Sequence, residues 1–340
     1  MKKILANIRN TQNDITGVQR YTLEIIKRLD DDVDTIKPKN KFSGLKGHIW
    51  EQLVLPSKLG DRLLWSPANT GPLLLEKQVI SIMDVSPLDH PEWSSKRFSS
   101  WYNYMMPRVI KKARAIITIS EFSKSRIIAH CPEVRDKVFV THLAADEKFH
   151  KKNITNNSNL KLPSGRYILA LGSIEPRKNL KFLLKAWSNV VHELPDDVYF
   201  IVSGSSSNKK VFGDYSIGRI PPRVHFTGYI DEGDLPSLYK NALALAYTPF
   251  YEGFGLPTLE GMSCGTPVIT SNSSSIPEVV GNAAIMIDPL NLAQCSEAIY
   301  NIVYDQNLRS KLSADGLIRA GLFDWNITAS KTLEILNGAV

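Results

Sequence analysis

Short apolar runs and amphipathic stretches alternate along the first half of the chain. Lys3–Ile8, Val79–Met83 and Ala115–Ile119 are brief runs of the kind that form strands buried on both faces of a parallel sheet. Between the first two runs, apolar residues from Val18 to Leu29 recur at the spacing of one helical face. The pattern predicts alternating strands and helices.

The alternation restarts after a polar segment, His150–Arg166, which is rich in turn-forming residues and shows no periodicity, as expected of an interdomain linker. The elements predicted after it are the strand Tyr167–Leu171, the helix Leu180–Val191, the strands Val198–Val202 and Val224–Thr227, the helix Leu235–Asn241, the strand Ala242–Tyr247, and the helices Leu292–Tyr304, Leu308–Ala320 and Trp325–Leu336.

Two successive arrays of strands and helices predict an α/β protein with two doubly wound parallel sheets of the Rossmann type. We expect an N-terminal domain at residues 1–155, a C-terminal domain at residues 156–320, and a last helix within residues 321–340 that returns to the N-terminal domain. Ligands of such sheets bind beyond the carboxyl ends of the strands, so two domains that face each other would form a binding cleft.

The composition agrees with two domains and narrows the cellular setting. A chain of 340 residues exceeds what one hydrophobic core usually serves, and an apolar fraction of 43% is that of a globular protein. Cys131, Cys264 and Cys295 follow no metal-ligand spacing and no paired framework, which indicates a reducing compartment. Because neither a signal-peptide core nor an apolar stretch of about 20 residues is found, we expect a cytoplasmic protein.

The formal net charge of +7 comes from the first 150 residues. Part of it lies in Trp93–Lys112, where aromatic and basic side chains interleave. This composition suits contact with an anionic membrane face, and it equally suits a helix with an aromatic core face and a solvated basic face. No nucleic-acid-binding motif accompanies the charge, so we expect no nucleic-acid partner.

The strongest candidate for chemistry is the segment Thr248–Ile269, which follows a predicted buried strand. A glycine-rich turn leads into a helix that has Pro257 in its first turn and Gly265 as its stop. Gly253 and Gly255 allow the backbone to approach a ligand closely, and the N–H groups at the helix start favour an anion. The turn is therefore predicted to hold a negatively charged or richly hydroxylated ligand.

Two carboxylates flank this turn. Glu252 precedes it and Glu260 is expected in the first helical turn, positions from which their oxygens would accept hydrogen bonds from sugar or ribose hydroxyls. Taken singly, Glu260 would favour the helix dipole and Glu252 would be a solvated loop charge. Their occurrence together inside this turn favours the ligand-binding interpretation.

The same segment carries a family resemblance. Glu252 and Glu260 have seven residues between them in Glu-Gly-Phe-Gly-Leu-Pro-Thr-Leu-Glu, and Ser-Cys-Gly-Thr-Pro-Val-Ile follows. This pattern resembles the signature of the retaining glycosyltransferases of family 4, which have the GT-B fold. The similarity covers most of the chain and continues through Gly17–Tyr21, Ser120–Lys124, Gly172–Asn179, Phe226–Tyr229 and Ser274–Glu278.

The resemblance implies roles for residues at matching positions. Arg177 and Lys178 correspond to the basic pair that neutralises the donor diphosphate. Glu260 corresponds to the carboxylate that binds the donor ribose, and Glu252 to the one that contacts the transferred sugar. The other implied contacts to diphosphate, sugar and base are made largely by the backbone of Gly17, of Gly253, Phe254, Gly255 and Leu256, and of Gly228, Tyr229 and Ile230.

One position departs from the family pattern. Members of this subtype usually carry His-Asp after the strand that here contains Val79–Ile82, and that histidine lies near the transferred sugar. This sequence has Met83 there, followed by Asp84. Asp84 stays a candidate catalytic residue beside those of the C-terminal half, Glu252 and the basic pair. Either His90 or a different donor-sugar preference would compensate for Met83, and the sequence leaves both open.

No metal site is predicted. Asp32-Val33-Asp34 matches the Asp-X-Asp string that holds a divalent cation in glycosyltransferases of another architecture, but it lies in a charged stretch typical of a helix-to-strand turn. Arg177 and Lys178 would supply the charge neutralisation that a metal otherwise gives. We therefore expect metal-independent catalysis, with no cofactor other than the donor substrate.

The resemblance implies a hexosyltransferase that moves a hexosyl or deoxyhexosyl unit from a nucleotide-diphosphate sugar to a saccharide, with retained anomeric configuration. Similarity to bacterial mannosyl- and rhamnosyltransferases of surface polysaccharide assembly implies GDP-mannose before UDP- or dTDP-linked donors, and lipopolysaccharide, O-antigen or capsule as the product. The resemblance also implies that the N-terminal domain, residues 1–155, binds the acceptor and that the C-terminal domain, residues 156–320, binds the nucleotide sugar. The acceptor would be an oligosaccharide or lipid-linked saccharide at the inner membrane face, which the protein would contact peripherally. Two other classes stay open: a sugar-nucleotide epimerase or phosphorylase of the same architecture, and a nucleotide-sugar-binding subunit without turnover, which Met83 suggests.

Overall fold

The computed structural model describes residues 2–12, 16–42, 44–154, 160–172, 175–204 and 218–340. The chain divides into two compact units. The first comprises Met1–Glu92, Lys96–Leu143 and Asp324–Val340, and the second comprises Trp93–Ser95 and Ala144–Phe323. Residues 155–159 of the expected linker and residues 173–174 of the segment Gly172–Asn179 lie outside the described residues.

A parallel sheet of six strands forms the centre of the first unit. Its strands are β1 (Ile4–Asn7), β2 (Val33–Ile36), β3 (Leu63–Ser66), β4 (Gln78–Ile82), β5 (Ala115–Thr118) and β6 (Val138–Val140). They are arranged in the order β2-β1-β3-β4-β5-β6, and each neighbouring pair is parallel. Because β3 lies on the opposite side of β1 from β2, the direction of winding reverses between β1 and β3.

The helices of the first unit cover the faces of this sheet. They are α1 (Gly17–Arg28), α2 (Gly44–Ile49), α3 (Leu55–Ser57), α4 (Ser86–Asp89), α5 (Lys96–Lys112) and α6 (Glu121–His130), with a π-helix at Trp50–Val54 and 3-10 turns at Arg9–Gln12, Pro91–Trp93 and Pro132–Lys137. The apolar face of α1 buries Tyr21 and Ile25, as its helical spacing predicts.

A second parallel sheet of six strands forms the centre of the second unit. Its strands are β7 (Arg166–Leu171), β8 (Val198–Ser203), β9 (Val224–Gly228), β10 (Ala244–Tyr247), β11 (Val268–Ser271) and β12 (Ile285–Ile287). Their order is β12-β11-β10-β7-β8-β9, which is the Rossmann order. The chain winds outward from β7 to β9 and then from β10 to β12 on the other side, so the reversal falls between β7 and β10.

Helices flank this sheet as well, and the last helix of the chain belongs to the first unit. The helices are α7 (Leu180–Val190), α8 (Leu235–Lys240), α9 (Leu256–Ser263), α10 (Ile276–Val280), α11 (Leu292–Tyr304), α12 (Gln306–Ala320) and α13 (Trp325–Gly338), with 3-10 turns at Glu147–Phe149, Lys151–Asn153, Pro176–Lys178 and Val191–Glu193. The core of the second unit is centred on Trp187, which is fully buried and lies 5.3 Å from Phe200 between ring centroids.

The predicted α/β class with two parallel sheets is confirmed. The pattern did not predict five of the strands, namely β2, β3, β6, β11 and β12. Across the described residues, no helix combines the length and apolarity that crossing a membrane requires.

Candidate functional site

The carboxyl ends of β7 and β10 bring two loops of the second unit together. These strands are neighbours at the point where the winding reverses, and such a reversal opens a crevice in which doubly wound sheets bind ligands. The loop after β7 carries Arg177 and Lys178 on a 3-10 turn, and the loop after β10 carries Glu252. The Phe250 N–H donates to the Arg177 carbonyl at 2.8 Å, which ties the two loops to each other.

Glu252 accepts hydrogen bonds from three side chains at one oxygen. Its Oε1 lies 3.2 Å from Arg177 Nη1 and 2.6 Å from the Tyr247 hydroxyl, and it also accepts from Lys178 Nζ. Lys178 Nζ in turn donates to the Tyr247 hydroxyl at 2.6 Å. The Glu252 N–H donates to Ser274 Oγ at 3.1 Å. Because the Glu252 side chain is only 9% exposed, these contacts fix its position.

The electrostatics of this cluster set the protonation state of its members. Burial alone would raise the pKa of Glu252, but the charges of Lys178 and Arg177 and the hydrogen bonds from Lys178 and Tyr247 outweigh it and lower the pKa to about 2. Burial, assisted by Arg177, lowers the pKa of Lys178 against the opposing effect of Glu252. Burial also raises the pKa of Tyr247 well above its usual value. At neutral pH Glu252 is therefore a carboxylate and Tyr247 a neutral phenol.

A second carboxylate balances the charge of the cluster. Glu175 Oε2 lies 3.2 Å from Arg177 Nε, and the Glu175 side chain is buried. Arg177 therefore bridges Glu175 and Glu252, and the four charged groups sum to zero when all are ionised. The two cations that resemble a diphosphate-binding pair are thus held in place by carboxylates of the protein itself.

The turn after β10 has the conformation that its glycines predict. Gly255 has a φ of +100°, in the left-handed region that favours glycine, and an added Cβ would lie 2.5 Å from Ile276 Cδ1. Helix α9 begins at Leu256 with Pro257 in its first turn, and Gly265 follows its end with a φ of +76°. The predicted sequence of turn, helix and glycine stop is confirmed.

The start of α9 offers fewer backbone donors than its sequence suggested. Pro257 has no N–H group, and the Thr258 N–H donates to the Gly255 carbonyl at 3.0 Å. The expectation that N–H groups at this helix start favour an anion therefore does not extend to Pro257 and Thr258, and for the residues before them it stays a prediction.

Glu260 was expected in the first turn of this helix and lies one turn further along, because α9 begins at Leu256. The residue is 4% exposed, and its Oε2 accepts a hydrogen bond from the Tyr239 hydroxyl at 2.9 Å. A buried carboxylate beyond the first turn gains little from the helix dipole. The simpler interpretation of Glu260 as a dipole-compensating surface charge therefore does not fit.

In the second unit, the residues expected to contact the donor through their backbone follow β9 and β10 at the carboxyl edge of the sheet. Phe254 is buried with its ring 5.7 Å from that of Phe323, so its side chain belongs to the core. Gly228 ends β9 with a φ of +71°, Tyr229 is 70% exposed, and Ile230 is buried. Strand β9 is separated from β7 by β8, which sets this group two strands away from Arg177 and Lys178.

Asp84 and Met83 follow β4 in the first unit. Asp84 Oδ1 accepts hydrogen bonds from the Ser86 N–H at 2.9 Å and from Ser86 Oγ at 2.7 Å, so it holds the start of α4. Met83 is 5% exposed, and its N–H donates to Asn69 Oδ1 at 2.6 Å. The structure thus ties Asp84 to Ser86, the first residue of α4, and places Met83 in the core.

Three further sequence candidates lie in the first unit. Gly17, which the resemblance places near the diphosphate, is the first residue of α1. His90 follows α4, and its Nδ1 lies 3.0 Å from Glu92 Oε1. The string Asp32–Asp34 runs from the turn after α1 into β2, which is the helix-to-strand turn that its context favoured.

The sequence analysis did not identify Tyr247, Tyr239 and Glu175, whose side chains contact Glu252, Glu260 and Arg177 respectively. Tyr247 ends the predicted strand before the turn, and a tyrosine with a buried ring at a strand's carboxyl end is a usable signal. Glu175 stands two residues before Arg177 within the resembling segment. Tyr239 gave no signal, because only the packing of α8 against α9 brings it to Glu260.

Comparison with known proteins places this chain among glycosyltransferases. The family model described as "Glycosyl transferases group 1" matches residues 151–317. The "O-antigen chain mannosyltransferase B" of Escherichia coli is 32% identical over 284 residues, which are 81% of this chain and 74% of that protein. The "O-antigen chain mannosyltransferase RfbU" of Salmonella typhimurium is 26% identical over 260 residues, which are 74% of this chain and 68% of that protein.

A solved structure shares the fold across the whole chain. The crystal structure of WaaG, "a glycosyltransferase involved in lipopolysaccharide biosynthesis", superposes with a TM-score of 0.74 at 16% identity and covers 98% of this chain and 99% of its own. This likeness confirms the expected two-domain α/β fold. Since the family model lies on the unit that carries Glu252 and Lys178, and a relative with 32% identity is covered over 74% of its length, this chain belongs to the group 1 glycosyl transferases.

Proposed function

We propose that this protein is a retaining mannosyltransferase that moves a mannosyl unit from GDP-mannose to a saccharide acceptor during assembly of O-antigen or a related surface polysaccharide. The observation that carries this proposal is the convergence of Glu252, Arg177 and Lys178 at the reversal between β7 and β10. The names of the two mannosyltransferase relatives support the choice of sugar and of product.

In the proposed reaction the donor diphosphate binds at Arg177 and Lys178. In the structure these cations pair with Glu175 and Glu252, and a diphosphate would compete for the same positive charges. Positively charged groups fixed in a buried site stabilise the charge that develops on a leaving diphosphate, and they need no reorganisation at that moment. Glu252, freed in part from the cations, would then accept a hydrogen bond from a hydroxyl of the transferred sugar.

We propose a front-face route for the transfer. The bond from the anomeric carbon to the diphosphate oxygen breaks while the acceptor oxygen bonds to the same face of that carbon, and the leaving diphosphate takes the acceptor proton. The Tyr247 hydroxyl donates to Glu252 Oε1 at 2.6 Å, and this bond remains when a diphosphate occupies Arg177 and Lys178, so Glu252 is a weak nucleophile, which supports this route over a glycosyl ester. A trapped covalent adduct on Glu252 or Asp84 would overturn it.

The direct test combines binding and turnover. Calorimetric titration should show tighter binding of GDP than of UDP or dTDP, and GDP should raise the midpoint of thermal unfolding. Incubation with GDP-mannose and a mannose-terminated oligosaccharide should release GDP and form an α-linked product, identified by NMR, at the same rate with and without EDTA. Selective binding of UDP would refute GDP-mannose as the donor, and loss of turnover in EDTA would refute metal-independent catalysis. Binding of GDP-mannose without turnover would favour a non-catalytic subunit.

We also propose that the first unit contacts the cytoplasmic, anionic face of the membrane on which a lipid-linked acceptor is presented. Support comes from exposed apolar side chains between two exposed lysines: Leu53 is 71% exposed, and Lys46 and Lys58 flank it in the α2–α3 segment. Leu74 is 86% exposed and lies in a loop whose Leu73 N–H donates to the Gln52 side chain of that segment at 2.8 Å.

Vesicle co-sedimentation tests the membrane contact. Leu53→Ser should weaken binding to vesicles that contain anionic phospholipid, because one exposed apolar anchor is removed. Leu290→Ser is the matched control, since Leu290 is 76% exposed but belongs to the second unit. Equal binding of both variants and wild type would contradict the proposed surface. In α5, by contrast, Phe98 stacks on Tyr102 at 4.3 Å, so part of its aromatic surface is already used within the protein.

A further inference from the structure

An open cavity of about 530 Å³ lies in the second unit, at the edge of the sheet opposite the candidate functional site. Ala242 and Leu243, which precede β10, and Pro267, which precedes β11, give it an apolar lining. Glu252 follows the carboxyl end of β10, and a strand of four residues spans about 13 Å. The cavity is therefore separate from the cluster that we propose to bind the donor.

One face of α12 forms a wall of this cavity. The residues that α12 contributes recur every three to four positions, as residues on one helical face do, and they are Gln306, Arg309, Ser310, Ser313, Ala314 and Leu317. Lys151, from the 3-10 turn Lys151–Asn153, lies in the lining as well. The described residues that line the cavity thus include two cations and no carboxylate, a combination that attracts anions.

Lys151 and Ser313 meet beside a residue that has no side chain. Gly265 has a φ of +76°, and a Cβ added to it would lie 3.1 Å from Lys151 Cδ, 3.4 Å from Lys151 Nζ and 3.2 Å from Ser313 Oγ. The ammonium and the hydroxyl are therefore close enough to bind one phosphate group together.

The polar side chains of the lining keep donors that the protein itself does not use. Within the described parts of the chain, the side chains of Lys151, Ser310 and Ser313 form no hydrogen bond or ion pair. Arg309 donates from Nη1 to two carbonyl groups in the last turn of α11 at 2.7 and 3.0 Å, which fixes its guanidinium, and no other described residue accepts from it. Since arginine carries five N–H donors, three of them are left for a ligand.

We propose that this cavity binds a small organic phosphate through its phosphate monoester group. Such a group carries a charge of about −1.5 to −2 at neutral pH and has three acceptor oxygens, which match the Lys151 ammonium, the Arg309 guanidinium and the serine hydroxyls. A carboxylate has only two oxygens and one charge, so it would use fewer of these donors.

The size and the apolar lining bear on the rest of the ligand. The volume lies within the roughly 300–1,000 Å³ of small-molecule sites, which exceeds the space that a phosphate ion fills. Ala242, Leu243 and Pro267 offer contacts that only the organic part of a ligand would use. We therefore expect an organic phosphate to bind more tightly than inorganic phosphate does.

Lys151→Ala is the sharpest variant. Since the ammonium has no partner within the described residues, its removal should leave the midpoint of thermal unfolding unchanged. The Kd for the organic phosphate should rise about tenfold or more, the effect of one hydrogen bond between charged groups. Lys152→Ala is the matched control, because it removes the same charge one residue away and Lys152 does not line the cavity. Its Kd should equal that of wild type.

Ligand-observed NMR titration of the full chain with mannose 6-phosphate, ribose 5-phosphate and glycerol 3-phosphate measures these affinities. Wild type should bind at least one of them, more tightly than it binds mannose or inorganic phosphate, and Lys151→Ala should bind it more weakly. Equal affinity of Lys151→Ala and wild type, equal weakening by Lys152→Ala, or no binding of any of the three compounds would each overturn the assignment. Inorganic phosphate that binds as tightly as all three would overturn the choice of an organic ligand.

Arg177→Ala separates this cavity from the donor cluster. It should leave the affinity for the organic phosphate unchanged, because Arg177 belongs to the opposite edge of the sheet. Weakening by Arg177→Ala but not by Lys151→Ala would locate the phosphate at the donor cluster and overturn the assignment. Titration with GDP tests the proposed function separately: Lys151-dependent binding of an organic phosphate without binding of GDP would refute that function and support this cavity.

Discussion

Replacing Glu252 with glutamine removes one negative charge from the buried cluster and keeps the size of the side chain. The pKa of Glu252 is about 2 in the folded protein, against an ordinary value of 4.5. Because the folded state binds this proton less tightly than the unfolded chain does, ionisation of Glu252 adds to the free energy of unfolding. At about 1.4 kcal/mol per pH unit, this contribution is about 3 kcal/mol at neutral pH. The variant should be less stable by about that amount, since Lys178 keeps its buried charge but loses its carboxylate.

The contribution depends on pH in a definite direction. A carboxyl group whose folded-state pKa is lowered stabilises fully above its unfolded pKa, and the effect is lost as the pH falls through 4.5 towards 2. Wild type should lose about 1 kcal/mol of this contribution at pH 4 and about 2 kcal/mol at pH 3. Glu252→Gln has no such titration, so the difference in free energy of unfolding between the two proteins should narrow as the solution is acidified.

Urea unfolding at a series of pH values, followed by circular dichroism and by tryptophan fluorescence, measures this difference. Two probes are needed because a protein of two compact units need not unfold in one step. Glu232→Gln is the control, since the Glu232 carboxylate lies 2.6 Å from Lys148 Nζ with 30% of the side chain exposed. It should cost less than about 1 kcal/mol. A deficit of Glu252→Gln that stays constant from pH 7 to pH 4 would refute the reasoning that Lys178 and Arg177 hold this charge.

Three other substitutions test the rest of the site. Tyr239→Phe removes the hydrogen bond that the Tyr239 hydroxyl donates to Glu260. Because a bond to a carboxylate is lost, the Kd for GDP measured by calorimetry should rise about tenfold, with kcat little changed. A fall in kcat without a change in Kd would contradict the assignment of Glu260 to the donor ribose. Arg177→Ala removes a positive charge beside the leaving diphosphate and should lower kcat about 100-fold or more in a GDP-release assay. An unchanged kcat would show that Arg177 does not stabilise the leaving group. Gly255→Ala puts a side chain at a φ of +100° and should lower the free energy of unfolding by about 1–3 kcal/mol, whereas Gly233→Ala, in open space, should not.

The turn from Tyr251 to Glu260 could be predicted because its conformation depends on residues next to each other in the chain. Gly255 supplies the left-handed backbone, and Pro257 is compatible with the first turn of a helix. The hydrogen bond from Arg177 to Glu252 joins residues 75 positions apart and exists only because β7 pairs with β10. Strand order decides that contact, and no local pattern encodes strand order.

Long continuous apolar runs made two of the strands easy to predict. β7 and β8 each contain at least four successive apolar residues, whereas β2 contains Asp34 and Thr35 in its four positions. The strands β6 and β12 have three residues each, too few to establish a period of two. Parallel pairing within the sheet stabilises such short segments, and a single sequence does not reveal their partners.

The two units place polar side chains at equivalent points of their folds, yet the chemistry at those points differs. At the reversal between β7 and β10, two cations and two carboxylates meet, and an anionic group would be bound by exchange of partners. At the reversal between β1 and β3, one cation, Arg9, is already paired with one buried carboxylate, Glu51. A doubly wound sheet fixes where a ligand binds but not which one. The charge and pairing of the loop residues are therefore the basis on which we propose that the second unit binds the nucleotide diphosphate.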